Sequence, residues 1–162
     1  MFHPTRTPLI EAHEPVASNA IAATCDPIYM GNAKGVWIIV HEDYASDTTK
    51  LTMTLRNGST SAIALAGTYA VTETWGGYKN ITTQTSDTLT ALTAAATFEL
   101  DGETAGNNCL WYFYFPSSKL VDGYDWLHPT FASGDGSNLV SVLYILVGFR
   151  YKQEDPPDSA HG

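Results

Sequence analysis

Residues 50–56 read KLTMTLR. In an extended chain Leu51, Met53 and Leu55 fall on one side, and Thr52, Thr54 and Arg56 on the other. This period of two predicts a strand with one face in a core and the other in water. Asn57-Gly58-Ser59 follows at once as a turn signal. Upstream, Gly35 to Glu42 reads GVWIIVHE, a short apolar run rich in β-branched residues and bounded by Gly and Asp. The polar stretch 43–49 between the two runs reads as a loop.

Further out, the same signals recur. Ser61 to Leu65 leads into a run from Tyr69 to Trp75, which Gly76-Gly77 is expected to break, and Tyr78 to Thr83 reads as a further short strand. Residues 85–96 are open between helix, favoured by the alanines, and strand or loop, favoured by the threonines. Cys109 to Phe115 reads CLWYFYF, seven residues, which is strand length rather than helix length. Gly123 to Ala132 alternates loosely. Leu139 to Tyr151 reads LVSVLYILVGFRY, and its Val and Ile content predicts a long central strand. Seven to nine short strands with turn-rich connections predict an all-β fold, an antiparallel β-sandwich or jelly roll.

The ends differ in texture. Residues 1–16 carry Pro4, Pro8 and Pro15 without periodicity and read as an extended N-terminal arm, to be ordered against a neighbour. The sandwich domain is expected over 17–152, and residues 153–162, with Pro156-Pro157, read as a mobile polar tail.

Composition narrows the function. Of 162 residues, 44% are hydrophobic and only 15% charged, which supports one globular domain whose polar surface is largely Thr, Ser and Asn. The net charge of −9 gives a surface that repels phosphate, so nucleic acid and anionic membrane are not expected partners. No run of 18 apolar residues predicts a membrane-spanning helix. Residues 1–16 lack the apolar stretch of a secretory signal. The two cysteines, Cys25 and Cys109, make no disulfide framework, and whether they pair is left open.

Each chemical candidate has a simpler reading. His41, Glu42 and Asp43 are consecutive on a strand, so neighbours point to opposite faces and cannot readily share an ion. His3, His13, His41, His128 and His161 show no zinc spacing on a helix. The Asp135-Gly136-Ser137-Asn138 stretch has one carboxylate, too few for a calcium loop, and reads as a turn. Glu99, Asp101, Glu103, Asp122 and Asp125 could supply a carboxylate pair but read as solvated surface. The chain is therefore expected to be no enzyme and to carry no metal or cofactor. Contact candidates are Phe2, Pro4, Pro8, Leu9 and Ile10 in the arm, with Trp75, Tyr78, Tyr124 and Trp126 in or beside loops, where aromatics anchor protein interfaces or stack on sugars.

The order of these segments carries a resemblance. The aromatic strand Cys109 to Phe115, the run from Asn138 to Leu146 and the closing Phe149-Arg150-Tyr151-Lys152, preceded by Gly35 to Val40 and Lys50 to Arg56, resemble small β-sandwich structural proteins of tailed bacteriophages, encoded beside capsid genes. The likeness covers residues 30–152 and rests on order and texture. It implies a capsid decoration or cement protein on the virion exterior, bound to the major capsid protein as a homo-oligomer, with a trimer favoured. The alternatives are another virion component (tail, baseplate or head–tail joining subunit) or a carbohydrate-binding module. No site residue is carried over from the resemblance.

Overall fold

The structure is a computed structural model that describes residues 9–21, 25–66 and 69–148. In chain order its elements are β1 (Leu9–Ala17), β2 (Ile28–Tyr29), β3 (Gly35–Tyr44), β4 (Leu51–Gly58), α1 (Ser61–Leu65), β5 (Tyr69–Ala70), β6 (Trp75–Asn80), β7 (Thr90–Ala95), β8 (Thr97–Leu100), β9 (Asn107–Pro116), β10 (Trp126–Ser133) and β11 (Leu139–Val147). They form two antiparallel sheets. One has the order β1-β11-β3-β9-β6-β7; the other has β2-β10-β4, with β5 and β8 both on the far edge of β4.

This order is a jelly roll with an addition. The strands β1-β11-β3-β9 face β2-β10-β4-β8, the eight-stranded double Greek key. The stretch between β4 and β8 holds α1, β5, β6 and β7, and β6 and β7 widen the first sheet beyond β9. The all-β sandwich expected from the sequence is thus the fold.

The core lies between the sheets. β4 buries Leu51, Met53 and Leu55; β3 contributes Val36, Ile38 and Val40; β9 contributes Trp111, Phe113 and Phe115; β11 contributes Val142, Tyr144 and Leu146. Trp75, Phe98 and Phe113 form an aromatic cluster with ring centroids 4.5–4.9 Å apart. Such tilted and edge-on contacts add about 0.5–1.5 kcal/mol per pair beyond area burial. Pro129 sits in mid-β10, opposite Leu55 of β4, and lacks the donor of an ordinary strand residue. It is tolerated because β2 pairs with β10 only at Trp126 and Leu127, which leaves the second edge at Pro129 without a strand neighbour among the described residues.

Several expectations need revision. Ser61–Leu65 is a short helix, started by Thr60, whose side chain accepts a bond from the Ile63 N–H. Gly76-Gly77 does not end a strand but lies inside β6. Thr90–Ala95 is strand, which settles the ambiguous Thr- and Ala-rich stretch. Over its described part, the expected arm is extended, but it pairs with this chain's own β11 as β1, Leu9 opposite Ile145 and Val16 opposite Val140. The sandwich therefore starts ahead of residue 17. Residues 1–8 and the expected tail, 153–162, lie outside the described residues.

A candidate contact face on the six-stranded sheet

In an antiparallel sandwich each sheet ordinarily turns an apolar face inward and a polar face outward. The five-stranded sheet follows this rule. Its outer rows run Thr130–Thr54–Thr97 and Ala132–Thr52–Glu99 in register, and the Thr54 and Thr130 hydroxyls lie 2.6 Å apart.

The six-stranded sheet breaks it. Residues in register across an antiparallel sheet share a face. One outer row reads Leu9–Ile145–Trp37–Tyr114–Gly76, and the next reads Glu11–Leu143–Ile39–Tyr112–Tyr78–Ala91. Apart from Glu11 at the rim, no residue of these rows is ionisable near neutral pH. Leu9 is 55% exposed and Tyr78 is 44% exposed; Trp37, Ile39, Tyr112, Tyr114, Leu143 and Ile145 are partly exposed. The apolar runs of β3, β9 and β11 are continuous for this reason: alternate residues serve the core and the outer face.

The face has relief. The Trp37 and Tyr114 rings pack at 5.1 Å with a 47° tilt. Beside them a hollow of about 530 Å³ opens over Gly76 and Gly77, with Tyr78 and Ala94 on its far side and Lys119 at its lip. Gly76 leaves this space empty: a Cβ there would meet only the Ala94 methyl, at 3.9 Å. Gly77 has another cause, since a Cβ there would lie 2.1 Å from the Tyr112 carbonyl oxygen. A side chain at 77 would force β6 away from β9.

The structure distributes the sequence candidates unevenly. Leu9 and Tyr78 lie on the apolar face, near opposite ends. Ile10, paired with Tyr144, turns inward against the core. Trp75 is a correction: it is 2% exposed, held inside by Phe98 and Phe113, and is no surface anchor. Its neighbouring glycines suggested a loop, but β6 aims its ring inward. Tyr124 and Trp126 lie elsewhere, Tyr124 against Tyr69 and Trp126 against Tyr29. Phe2, Pro4 and Pro8 lie outside the described residues. Trp37, Ile39, Tyr112, Tyr114, Leu143 and Ile145 were missed as surface residues. The missing alternation in their runs was the signal.

Several of the polar candidates have structural partners. His41 is exposed and Glu42 buried, on opposite faces of β3. Asp101 pairs with Lys50 at 2.6 Å and Glu103 with Lys79 at 3.0 Å. Asp135 accepts bonds from the Ser137 N–H and the Ser46 hydroxyl, which fixes the β10–β11 turn. His128 is buried beneath α1, with Nδ1 3.2 Å from the Ala64 carbonyl and Nε2 2.8 Å from the Cys25 carbonyl. Burial lowers its pKa, while the two carbonyls oppose that shift. Cys25 and Cys109 are free thiols, both buried, and burial pushes each up to about 12. Among the described residues no group of three or more His, Cys, Asp and Glu side chains is placed to hold a metal ion.

Glu42 is the most unusual ionisable group. Its side chain points between the sheets near one end of the core, and no part of it reaches solvent. Oε1 accepts a bond from Asn138 Nδ2, while Oε2 has no partner among the described residues. Burial pushes its pKa up to about 7, against the stabilising bond from Asn138.

No protein-family model, no curated protein and no solved structure matches this chain.

Proposed function

We propose that this protein is a non-enzymatic structural component of a tailed-phage virion, one that decorates or cements the capsid by protein–protein contact. The observation that carries this reading is the apolar outer face of the six-stranded sheet. A face of this kind, built on a rigid sheet, marks a surface through which an otherwise acidic protein assembles with other subunits, its own copies included. The jelly-roll architecture agrees with it by analogy of fold, since capsid domains use that architecture. The phage setting itself comes from the segment order of residues 30–152. Many copies on a repeating lattice would bind through avidity even where single contacts are weak.

The test is the protein composition of purified particles from the phage that encodes the chain, counted against the major capsid protein. A ratio near one, or near a simple fraction of it, supports decoration. A few copies per particle moves the protein to the tail or neck, and complete absence discards the virion reading.

A second reading, a carbohydrate-binding module, is favoured by the Trp37–Tyr114 platform beside the glycine hollow, since tilted aromatic faces stack on sugar rings. Binding to a broad glycan array that is lost in Trp37→Ala would support it; an array without binding would remove it.

A further inference from the structure

The geometry points to a second copy of this chain as the occupant of the apolar face, set sheet against sheet about a two-fold axis along β3. The inference rests on reading that face as a protein-contact surface, and it assigns the partner and the arrangement.

The argument is self-complementarity. The row Leu9–Ile145–Trp37–Tyr114–Gly76 has Trp37 at its centre. At one end stands Leu9, a protruding aliphatic side chain exposed to 55%. At the other end lies the hollow over Gly76 and Gly77. An in-plane two-fold axis along β3 turns the face over, so that the β1 end of each copy covers the β6 end of the other. Leu9 of one copy then stands over the Gly76 hollow of the other, and the same contact repeats on the far side. Such an isologous contact uses one patch on both subunits and closes as a pair. This differs from the three-fold assembly expected from the sequence.

Size and charge agree. Four strands of nine or ten residues and two of six, at ~3.3 Å per residue and ~4.8 Å spacing, cover roughly 790 Å², close to the ~800 Å² per partner of a standard stable interface. Two copies that each carry −9 repel one another. They can meet closely only where the surface lacks like charge; the apolar rows provide that, and the exposed Asp43 at the end of β3, which the axis would set against its own copy, lies outside them.

The experiment uses the full chain. Its mass in solution is measured by sedimentation over a range of concentrations, for the wild type and for Ile39→Glu, with circular dichroism as the folding control. Separately, Leu9→Cys and Gly76→Cys are prepared as single variants and oxidised alone and mixed. Cys25 and Cys109 are buried and stay silent. The expected results are a concentration-dependent dimer, a shift to monomer of at least tenfold in Ile39→Glu, and a disulfide-linked dimer in the mixture but in neither variant alone. Should Ile39→Glu fail to fold, the mixed oxidation decides the matter, because both cysteines replace surface positions. A monomer at every concentration would overturn the inference and give the face to another occupant, a different protein or a saccharide. A dimer whose mixture forms no cross-link would overturn the arrangement. Neither result touches the count of copies in purified virions, so the two proposals fail separately.

Discussion

Asn138 Nδ2 donates to Glu42 Oε1 at 3.1 Å, and both side chains are shut away from solvent. Asn138 also accepts from the Ser46 N–H at 2.7 Å and donates to the Ser46 carbonyl at 3.1 Å, while its own carbonyl takes the Ser18 N–H. One asparagine, through its side-chain amide and its main-chain carbonyl, thus ties together the end of β1, the loop after β3 and the turn before β11. The carboxyl beside it has an orphan oxygen, so its ionisation acts on the junction of three segments.

Stability should therefore fall as pH rises through the mildly acidic range. The Glu42 carboxyl is raised from 4.5 to about 7 in the folded chain. Below the lower value both folded and unfolded chains hold the proton, and the group's contribution is fully present. Between the two values the unfolded chain has released its proton and the folded chain has not, so stability drops by about 1.4 kcal/mol per pH unit, up to about 3 kcal/mol. Above about 7 the loss levels off. Urea unfolding of wild type and Glu42→Gln from pH 4 to 9 reads this directly. The variant should lack that component of the slope and exceed the wild type in stability above pH 7; parallel profiles would refute the assignment.

The two adjacent glycines of β6 should behave oppositely. Gly77→Ala drives a methyl into the Tyr112 carbonyl and should lower stability by about 1–3 kcal/mol. Gly76→Ala enters open space and should be neutral or slightly stabilising, because Gly weakens a strand interior. Denaturant midpoints of the two variants give the comparison.

This pair also shows what the sequence could not convey. β4 was legible from its alternation, and β3, β9 and β11 from their apolar runs, because both signals depend only on neighbours along the chain. β6 was not, because the need for a glycine at 77 arises from a carbonyl on β9, far off in sequence. α1 was hidden by its five residues, too few for a helical period, although Thr60 offered a cap. The apolar outer face was half legible. The aromatic runs were recognised, but a run of apolar residues in one strand does not say which alternate set meets water. Trp37 was overlooked for that reason, whereas Trp75 was misplaced because Gly76-Gly77 beside it read as a break.

Neither thiol should react with a charged aromatic disulfide reagent in the native state at pH 8. Both cysteines are at most 1% exposed, and burial holds each up to about 12, which leaves almost no thiolate. Two equivalents should appear on unfolding in urea. Rapid native labelling of either would contradict the packing.

His128→Phe should loosen α1 more than the sheets. The imidazole spans two carbonyls, and whichever nitrogen carries the proton, its loss leaves a buried acceptor unpaired, a cost of about 1–3 kcal/mol. Hydrogen exchange should rise first in Ser61–Leu65. Uniform exchange across the fold would argue that the residue acts only by filling space.

Phe113→Ala removes the ring that Trp75 and Phe98 share. A loss of about 3–5 kcal/mol is expected, read as a lower urea midpoint. A loss below 1 kcal/mol would mean that the cluster collapses to fill the space.

The position of β11 between β1 and β3 sets the order of events during synthesis. Of the described strands β1 is made first, yet its only neighbour among them is the last to appear, so its edge must wait unpaired while the others are made. The six-stranded sheet cannot be completed by a growing chain. Two segments some 130 residues apart in sequence must find each other at the end, a search that places the protein among slow, non-local folders. A nascent chain stopped short of Leu139 would leave the β1 and β3 edges both open to other chains.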